Sequence, residues 1–529
     1  MNQARIIYHL ARADFLERVR RYSFLIMLGL AVFLGYQVAA GNVTMRLDVY
    51  RGEFNSAWVG SMMALLSSFF LSWFGFYLVK GSVARDRETG VGQIMATTPL
   101  TRLLYMFGKW ASNFSVLLAM NVVLAIAGIG IQYLAGESMQ FDLAALFAPF
   151  LFITLPMMAL VAAVAVLFES VGFLSGGFGN VIYFFMFAFI FPLADPLSAT
   201  NPALEPLGMG LIQHSAGAAA SAAFPDYNGG FVLGDPAIAD SLGGNLDPAS
   251  YIFQWNGIEW TAEIILKRFI FFGIAIALTF LASIFFDRFD PSRRKPRRVR
   301  SKSAASISTP QSDSTSQALS QPAHLTPLAP SQNRFAFLRV LVSELKLLLK
   351  GRRWWWYAGA LGLFIASLTN SPENVRAIVL PFVWLWPILV WSGMGNREIT
   401  SNTGPMVFSS AAPLMRQLPA QWLAGFLVTL LTGSGAALKL LGAGDEIGLL
   451  AWFSGALFIP SFALALGVWS NSHKLFEVLY VTMWYLMLNK IDALDYLGAN
   501  SDGNIGFFIP LSIALVIAAF VGRARQLRN

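Results

Sequence analysis

The side chains of this sequence that could do chemistry are few, and they collect between its apolar runs rather than inside them. His9, His214, His324 and His473 are isolated from one another, so no pair has the spacing of a metal site. Cysteine is absent, which excludes disulfides, thiolate metal sites and a cysteine nucleophile. Gly108-Lys109 ends like a phosphate loop, but the earlier glycine of that motif is missing and Trp110 follows the lysine, so no nucleotide site is expected on this chain. Ionisable groups inside a bilayer are costly and mark ion or proton pathways. Here Glu169, Asp195, Lys439 and Glu477 all fall near the ends of apolar runs, Glu477 deepest, and the centres hold essentially none. A proton- or sodium-driven pump would lack its coupling groups. The 18 methionines are scattered through the apolar runs, where packing accounts for them.

What remains is a polar stretch that occurs twice. Residues 85–102 read RDRETGVGQIMATTPLTR and residues 397–416 read REITSNTGPMVFSSAAPLMR. A shift of 314 positions carries Thr89-Gly90 onto Thr403-Gly404, Pro99-Leu100 onto Pro413-Leu414 and Arg102 onto Arg416. A four-residue insertion follows Arg397-Glu398, the counterpart of Arg87-Glu88. In the first copy, Val91, Ile94, Met95 and Thr98 fall on one face of a short helix that starts near Thr89-Gly90 and stops before Pro99. In the second, Pro405 follows Gly404, so the helix begins later. A short helix held off the membrane between two spans can dock into another protein, whereas a plain solvated loop gives no reason for the pattern to recur.

The elements that must hold these stretches are membrane spans. Of the 529 residues, 56% are hydrophobic and 12% charged, against roughly 45–50% and about 25% in soluble domains. The apolar runs predict an all-α polytopic fold of twelve spans in two pseudo-symmetric six-helix halves. The first six run over 22–40, 57–79, 107–134, 142–168, 178–194 and 269–286, and the second six over 354–369, 377–394, 418–441, 447–469, 475–489 and 505–521. Val38-Ala39-Ala40 could pass for a signal-peptidase site, but the long basic lead and the many later spans favour an uncleaved first span. Two surface helices are expected. Tyr8, Ala11, Phe15 and Val19 line one side of the first, interrupted by Arg18. The second has Leu338, Leu341, Val342, Leu345, Leu348 and Leu349 opposite Arg339, Ser343, Lys346 and Lys350, and leads into an aromatic belt at Trp354–Tyr357.

Lysine and arginine collect at both termini, between the second and third spans and after Phe286, and acidic residues in the alternate loops, so both termini are expected in the cytoplasm. Three divisions follow: a first half over 1–286, a basic linker over 287–335 whose Ser, Thr, Gln and Pro content predicts disorder, and a second half over 336–529. The linker's basic cluster suits anionic lipid headgroups better than nucleic acid, so membrane lipids and no nucleic acid are expected as partners. Residues 195–263 form an external, acidic connection without lysine or arginine, which reads either as a lid or as a loosely ordered insertion.

At Glu88, Gly90, the segment IMATTPLTR and the span after Lys109, the chain resembles the permease subunits of type-2 ABC exporters. The likeness extends over most of the chain: a surface helix, six spans per half, a polar loop after the second span and an external connection before the sixth. In that family the polar loop is the coupling helix, which fits a cleft on a cytoplasmic ATPase. The resemblance implies an exporter in the inner (plasma) membrane, not an enzyme by itself, with ATP and Mg held by a separate ATPase, two copies per chain. It also implies that the partner interface comprises Arg87, Glu88, Thr89, Gly90, Val91, Ile94, Met95, Pro99 and Arg102 in the first copy, and Arg397, Glu398, Thr403, Gly404, Pro413 and Arg416 in the second. This chain departs from the family's usual pattern by fusing two halves. Its beginning, DFLERVRRYSFLIMLG, is also similar to permeases described as aiding multicopper enzyme maturation, yet no copper-ligand pattern accompanies it. The alternative reading is a major-facilitator-type secondary transporter, to whose loop motif Gly81, Asp86, Arg87 and Gly90 are a near miss with the wrong spacing. A membrane enzyme acting on lipids would need a clustered acid, base or nucleophile. The phenylalanine-rich spans would suit a lipid, peptide or amphipathic drug, but the same residues face lipid in any membrane protein.

Overall fold

The computed structural model describes residues 3–138, 140–190, 200–227, 229–234, 251–289, 336–352, 354–410, 412–488, 491–500 and 504–528. Helix dominates, as it must where apolar surroundings leave backbone amides and carbonyls no partner but each other. The first helices are α1 (Gln3–Val19), α2 (Tyr22–Ala39) and α3 (Ser56–Phe70, continued by a π-helical turn over Leu71–Gly75 and by Phe76–Val79). Next come two short helices, α4 (Ser82–Glu88) and α5 (Val91–Thr97), and then the long α6 (Arg102–Ala135) and α7 (Leu143–Ser170). After α8 (Gly177–Ile190) and α9 (Met209–Ala223), α10 (Ala262–Phe285) ends the series. The later residues give α11 (Ala336–Leu349), α12 (Trp354–Thr369), α13 (Leu380–Leu385, preceded by a π-helical turn over Val375–Val379) and α14 (Ile388–Trp391). These lead into α15 (Arg397–Thr400), α16 (Gly404–Phe408), α17 (Pro413–Ala443), α18 (Glu446–Ser470), α19 (Lys474–Leu488) and α20 (Ile505–Gln526).

Among the described residues, seven helices are long and apolar enough to cross a membrane: the α3–α4 stretch, α6, α7, α10, α17, α18 and α20. The chain is a helical membrane protein. The other expected spans are represented by shorter or broken helices, α2, α8, α12, α13–α14 and α19. A 15-residue helix such as α19 rises only about 22 Å, short of a hydrocarbon core of about 30 Å. Helix starts also lie earlier than the apolar runs suggest. Thr101 caps α6 by accepting from the Leu104 amide, and Pro413 opens α17, so Arg102 and Arg416 sit in first turns rather than in loops.

The two surface helices bury faces that overlap the expected apolar stripes but are rotated from them, so that Phe15, Val19, Leu345 and Leu349 still pack on the core. α1 packs along α6 and buries Ala11, Asp14 and Arg18, leaving Tyr8 exposed; α11 packs along α17 and buries Leu341, Glu344 and Leu348, leaving Leu338 and Val342 exposed. Polar partners on the neighbouring helices, described below, make a charged residue worth burying in each.

Within its described residues the connection after α8 holds the helix α9 and two short strands; Asp195, Asp235, Asp240 and Asp247 lie outside the described residues. Strand β1 (Thr44–Arg46) pairs antiparallel with β3 (Val232–Gly234), and β2 (Arg51–Gly52) pairs parallel with β4 (Ile252–Phe253). Trp58 meets Phe253 and Trp255 edge-on, and Tyr50 stacks on Phe224. The acidic connection borrows its cation from α10: the buried Arg268 guanidinium donates to the carbonyls of Phe152, Ile153, Ala203, Glu205 and Pro206. Glu205 beside it accepts from the Leu207 and Gly210 amides, and burial holds its carboxyl above the usual range. Of the expected linker, 290–335 lies outside the described residues. Asp287 and Arg288 fold back onto the first polar stretch, as described next.

Candidate functional site

The first polar stretch is built from a sharp joint. α3 stops at Val79, Lys80 is extended, and Gly81 takes φ +115°, a conformation glycine adopts without steric cost, so that α4 can start in a new direction. Glu169, at the end of α7, accepts from the amides of Gly81 (2.7 Å), Ser82 (3.1 Å), Val83 (2.5 Å) and Ala84 (3.3 Å). A carboxylate thus satisfies the orphan amides of the α4 N-terminus and complements its dipole. A second left-handed glycine, Gly90 at φ +76°, separates α4 from α5. On α5, Ile94 is 68% exposed and Val91 41%, while Gly92 packs on Phe289 and Met95 is half-buried. The expected single face therefore divides: Val91, Ile94 and Thr98 face outward and Met95 inward, while Glu88, Thr89 and Pro99 are exposed. Arg87 is paired with Asp287 at 2.9 Å, and Arg288 reaches the carbonyls of Ala96 and Thr98.

Beneath α4 lies a charged layer that composition alone does not reveal. The fully buried Lys109 ammonium sits 2.6 Å from Asp14 of α1 and 2.7 Å from Asp86 of α4, and the Tyr105 hydroxyl donates to Asp86 at 2.7 Å. Arg85 adds pairs to Glu17 and Asp14. Gly108 lets α1 come close, since a Cβ there would lie 2.3 Å from Leu10. The Gly108-Lys109 pair is thus a helix-packing and ion-pairing device inside α6, not a phosphate loop.

The second stretch is organised differently. Arg397 pairs with the buried Glu344 of α11 at 3.2 Å, and burial, opposed by Arg397, raises the Glu344 carboxyl above the usual range. Glu398, expected at the partner interface, is only 4% exposed. It accepts from Gln417 at 2.7 Å and from Gln421, and pairs with Arg523 of α20 at 3.3 Å. The reason is local: the four inserted residues let the chain turn back, with the Thr403 amide donating to the Glu398 carbonyl. Gly404 is buried with Pro405 next to it in α16, and Met406 is 73% exposed. Pro413 and Arg416 belong to α17 and are half-buried. The two stretches therefore share an exposed apolar side chain on a short helix above buried charges, but not an exposed carboxylate.

A seam runs between α8, with α3 beside it, and α19. It is aromatic along the membrane, where Trp73 and Phe184 meet Tyr485 and Phe185 meets Trp484. At one end it is polar. Asn180 donates to Glu477 at 2.6 Å and Lys474 donates to the Lys80 carbonyl, while among the aromatic rings Trp73 donates to Thr482 at 3.1 Å. Glu477 is buried by this pairing rather than solvated at an interface. No group of three or more His, Cys, Asp or Glu able to hold a metal occurs among the described residues. No protein-family model matches the chain, and no curated protein matches it in sequence.

Proposed function

We propose that the chain is the membrane permease subunit of an ABC transporter, working as an exporter in the inner (plasma) membrane with both termini in the cytoplasm. Two six-span halves, 1–286 and 336–529, would form the path, and α5 and α16 would be coupling helices seated on a separate ATPase that holds ATP and Mg, two copies per chain. The observation that carries this reading is the repeated pair of short helices, each exposing a large apolar side chain, Ile94 or Met406, above a layer of buried ion pairs. Exposed apolar side chains on a rigid support suit a protein partner, because their burial supplies affinity and the support removes the ordering cost.

The repetition extends to packing. α1 lies along α6 as α11 lies along α17, and α10 packs on α7 as α20 packs on α18. A shift of 330 positions carries the buried set Ala11, Asp14 and Arg18 onto Leu341, Glu344 and Leu348. Shorter helices such as α8 and α19 complete six spans per half when they are buried in the bundle, where neighbours rather than lipid surround their ends. The test is purification of the tagged chain from its own membranes. An ATPase with a phosphate-loop motif should accompany it in a two-to-one ratio. Ion-gradient-driven flux by the chain alone, with no such partner, would replace this reading with a secondary transporter.

A further inference from the structure

α5 has seven residues and α16 five, too few for a helix to hold itself in water, so what they rest on sets their orientation. In both cases the support includes the end of a long helix: the residues just past α10 for α5, and the last turn of α20 for α16.

The chain leaves α10 at Phe286 and turns under α5 through Arg288 (φ +53°) and Phe289 (φ +61°). Two successive non-glycine residues in the left-handed region cost backbone energy and persist only where surrounding contacts fix them. Those contacts all reach the first polar stretch. Asp287 takes Arg87 at 2.9 Å, and Arg288 donates to the Ala96 and Thr98 carbonyls at the C-terminal end of α5. The Phe289 ring lies against Gly92, where a Cβ would come within 2.6 Å of it, and the Arg87 guanidinium stands 5.8 Å from the ring centre.

At the second stretch, Arg523 of α20 pairs with Glu398 at 3.3 Å and donates to the Gly395 carbonyl at 3.1 Å. Its guanidinium stands 4.9 Å from the centre of the Phe408 ring, on the last residue of α16. Each hold thus joins an ion pair to a cation–aromatic contact, but the partners are exchanged. For α5 the polar stretch supplies the cation, Arg87, and the long-helix end supplies the carboxylate and the ring, Asp287 and Phe289. For α16 the stretch supplies the carboxylate and the ring, Glu398 and Phe408, and the long-helix end supplies the cation. The same Arg-Glu dipeptide is used through its arginine in one copy and through its glutamate in the other.

We propose that Asp287, Phe289 and Arg523 are positioning residues that fix how α5 and α16 are presented, and that the inverted chemistry makes each hold specific to its own short helix. Asp287 facing Glu398, or Arg523 facing Arg87, would set like charges together. The inference rests on the permease reading for what the helices are presented to, whereas the holds themselves are testable in the chain alone.

The chain lacks cysteine, so Ile94→Cys or Met406→Cys carries one nitroxide label at an exposed position of α5 or α16. In the full chain in lipid nanodiscs, each label should give a spectrum of one ordered component. Phe289→Ala should add a mobile component at 94 and none at 406, and Phe408→Ala the reverse. Leucine replaces alanine at either position should the alanine variant not fold. Asp287→Arg should also mobilise the label at 94, and adding Arg87→Asp should return most of the ordered component. An unchanged spectrum at 94 in the Phe289 variant overturns the first hold, and one unchanged at 406 in the Phe408 variant overturns the second. Mobilisation of both labels by one variant, or no recovery with Arg87→Asp, overturns the specificity. The Phe289 variant should also lose most of its capture of the copurifying ATPase. Undiminished capture beside a mobile label at 94 would remove α5 as the partner's seat while leaving the hold in place.

Discussion

Glu398 and Arg523 lie 3.3 Å apart with both side chains almost wholly buried, and two glutamines of α17 complete the carboxylate's hydrogen bonds. Removing one member of such a pair leaves the other charge uncompensated, at about 3–5 kcal/mol. Glu398→Ala should therefore destabilise the folded chain strongly. Glu88→Ala, at an exposed position, should stay within about 0.5 kcal/mol. Thermal unfolding in detergent by tryptophan fluorescence compares the two; equal shifts would contradict the burial difference.

Ile94 and Met406 are the most exposed apolar side chains of α5 and α16. If they seat an ATPase, Ile94→Asp and Met406→Asp should each weaken its binding by about 2 kcal/mol or more, roughly 30-fold, without affecting insertion. Pull-down with the copurifying partner reads this directly, and undiminished capture by both variants would exclude these helices as the interface.

Lys109 neutralises two carboxylates at once. Lys109→Met should destabilise the chain, and adding Asp14→Asn should restore part of the loss because one unpaired buried carboxylate is removed. A double-mutant cycle should give a coupling of about 0.5–3 kcal/mol. Additive losses would mean that Asp14 and Lys109 do not share an energy.

Arg51 holds Glu137 through two bonds of 2.8 and 2.6 Å, and these bonds, with the Phe54 amide, keep the Glu137 carboxyl below its usual range. A depressed folded pKa means stability that is present above about pH 4.3 and lost as pH falls through the lower folded value. The pair is partly solvated, so the effect is small. Glu137→Gln should flatten the acid limb of the melting-temperature profile, and an identical profile would show that the pair contributes nothing.

Composition alone made the membrane character and the helical class legible, because long apolar runs have few other uses. The helix starts were misplaced because Arg102 to Lys109 looks like loop when only hydropathy is weighed, whereas the Thr101 cap begins the helix there. The buried charges were illegible for another reason: Lys109 meets Asp14 across 95 positions and Glu398 meets Arg523 across 125, and no local pattern encodes such pairings. Faint signals existed. Arg18 interrupts the apolar stripe of the first surface helix one turn after Asp14, and Gln417 and Gln421 stand four apart on the same face of a helix that hydropathy starts only at Leu418. Glu88 and Glu398 looked equivalent because the repeat aligns them, but the four inserted residues turn the second carboxylate inward.

The two small sheets join residues 44–52 to residues 232–253. A ribosome adding about 5–20 residues per second delivers the later strands roughly 10–40 s after the earlier ones. During that interval β1 and β2 have open edges and Trp58 lacks Phe253 and Trp255. This part of the molecule is thus completed only after α3, α6, α7 and α8 have all been synthesised. Arg268 is synthesised after all five residues whose carbonyls it meets, so its tie between the strands' connection and the helices becomes available only once every one of those elements exists.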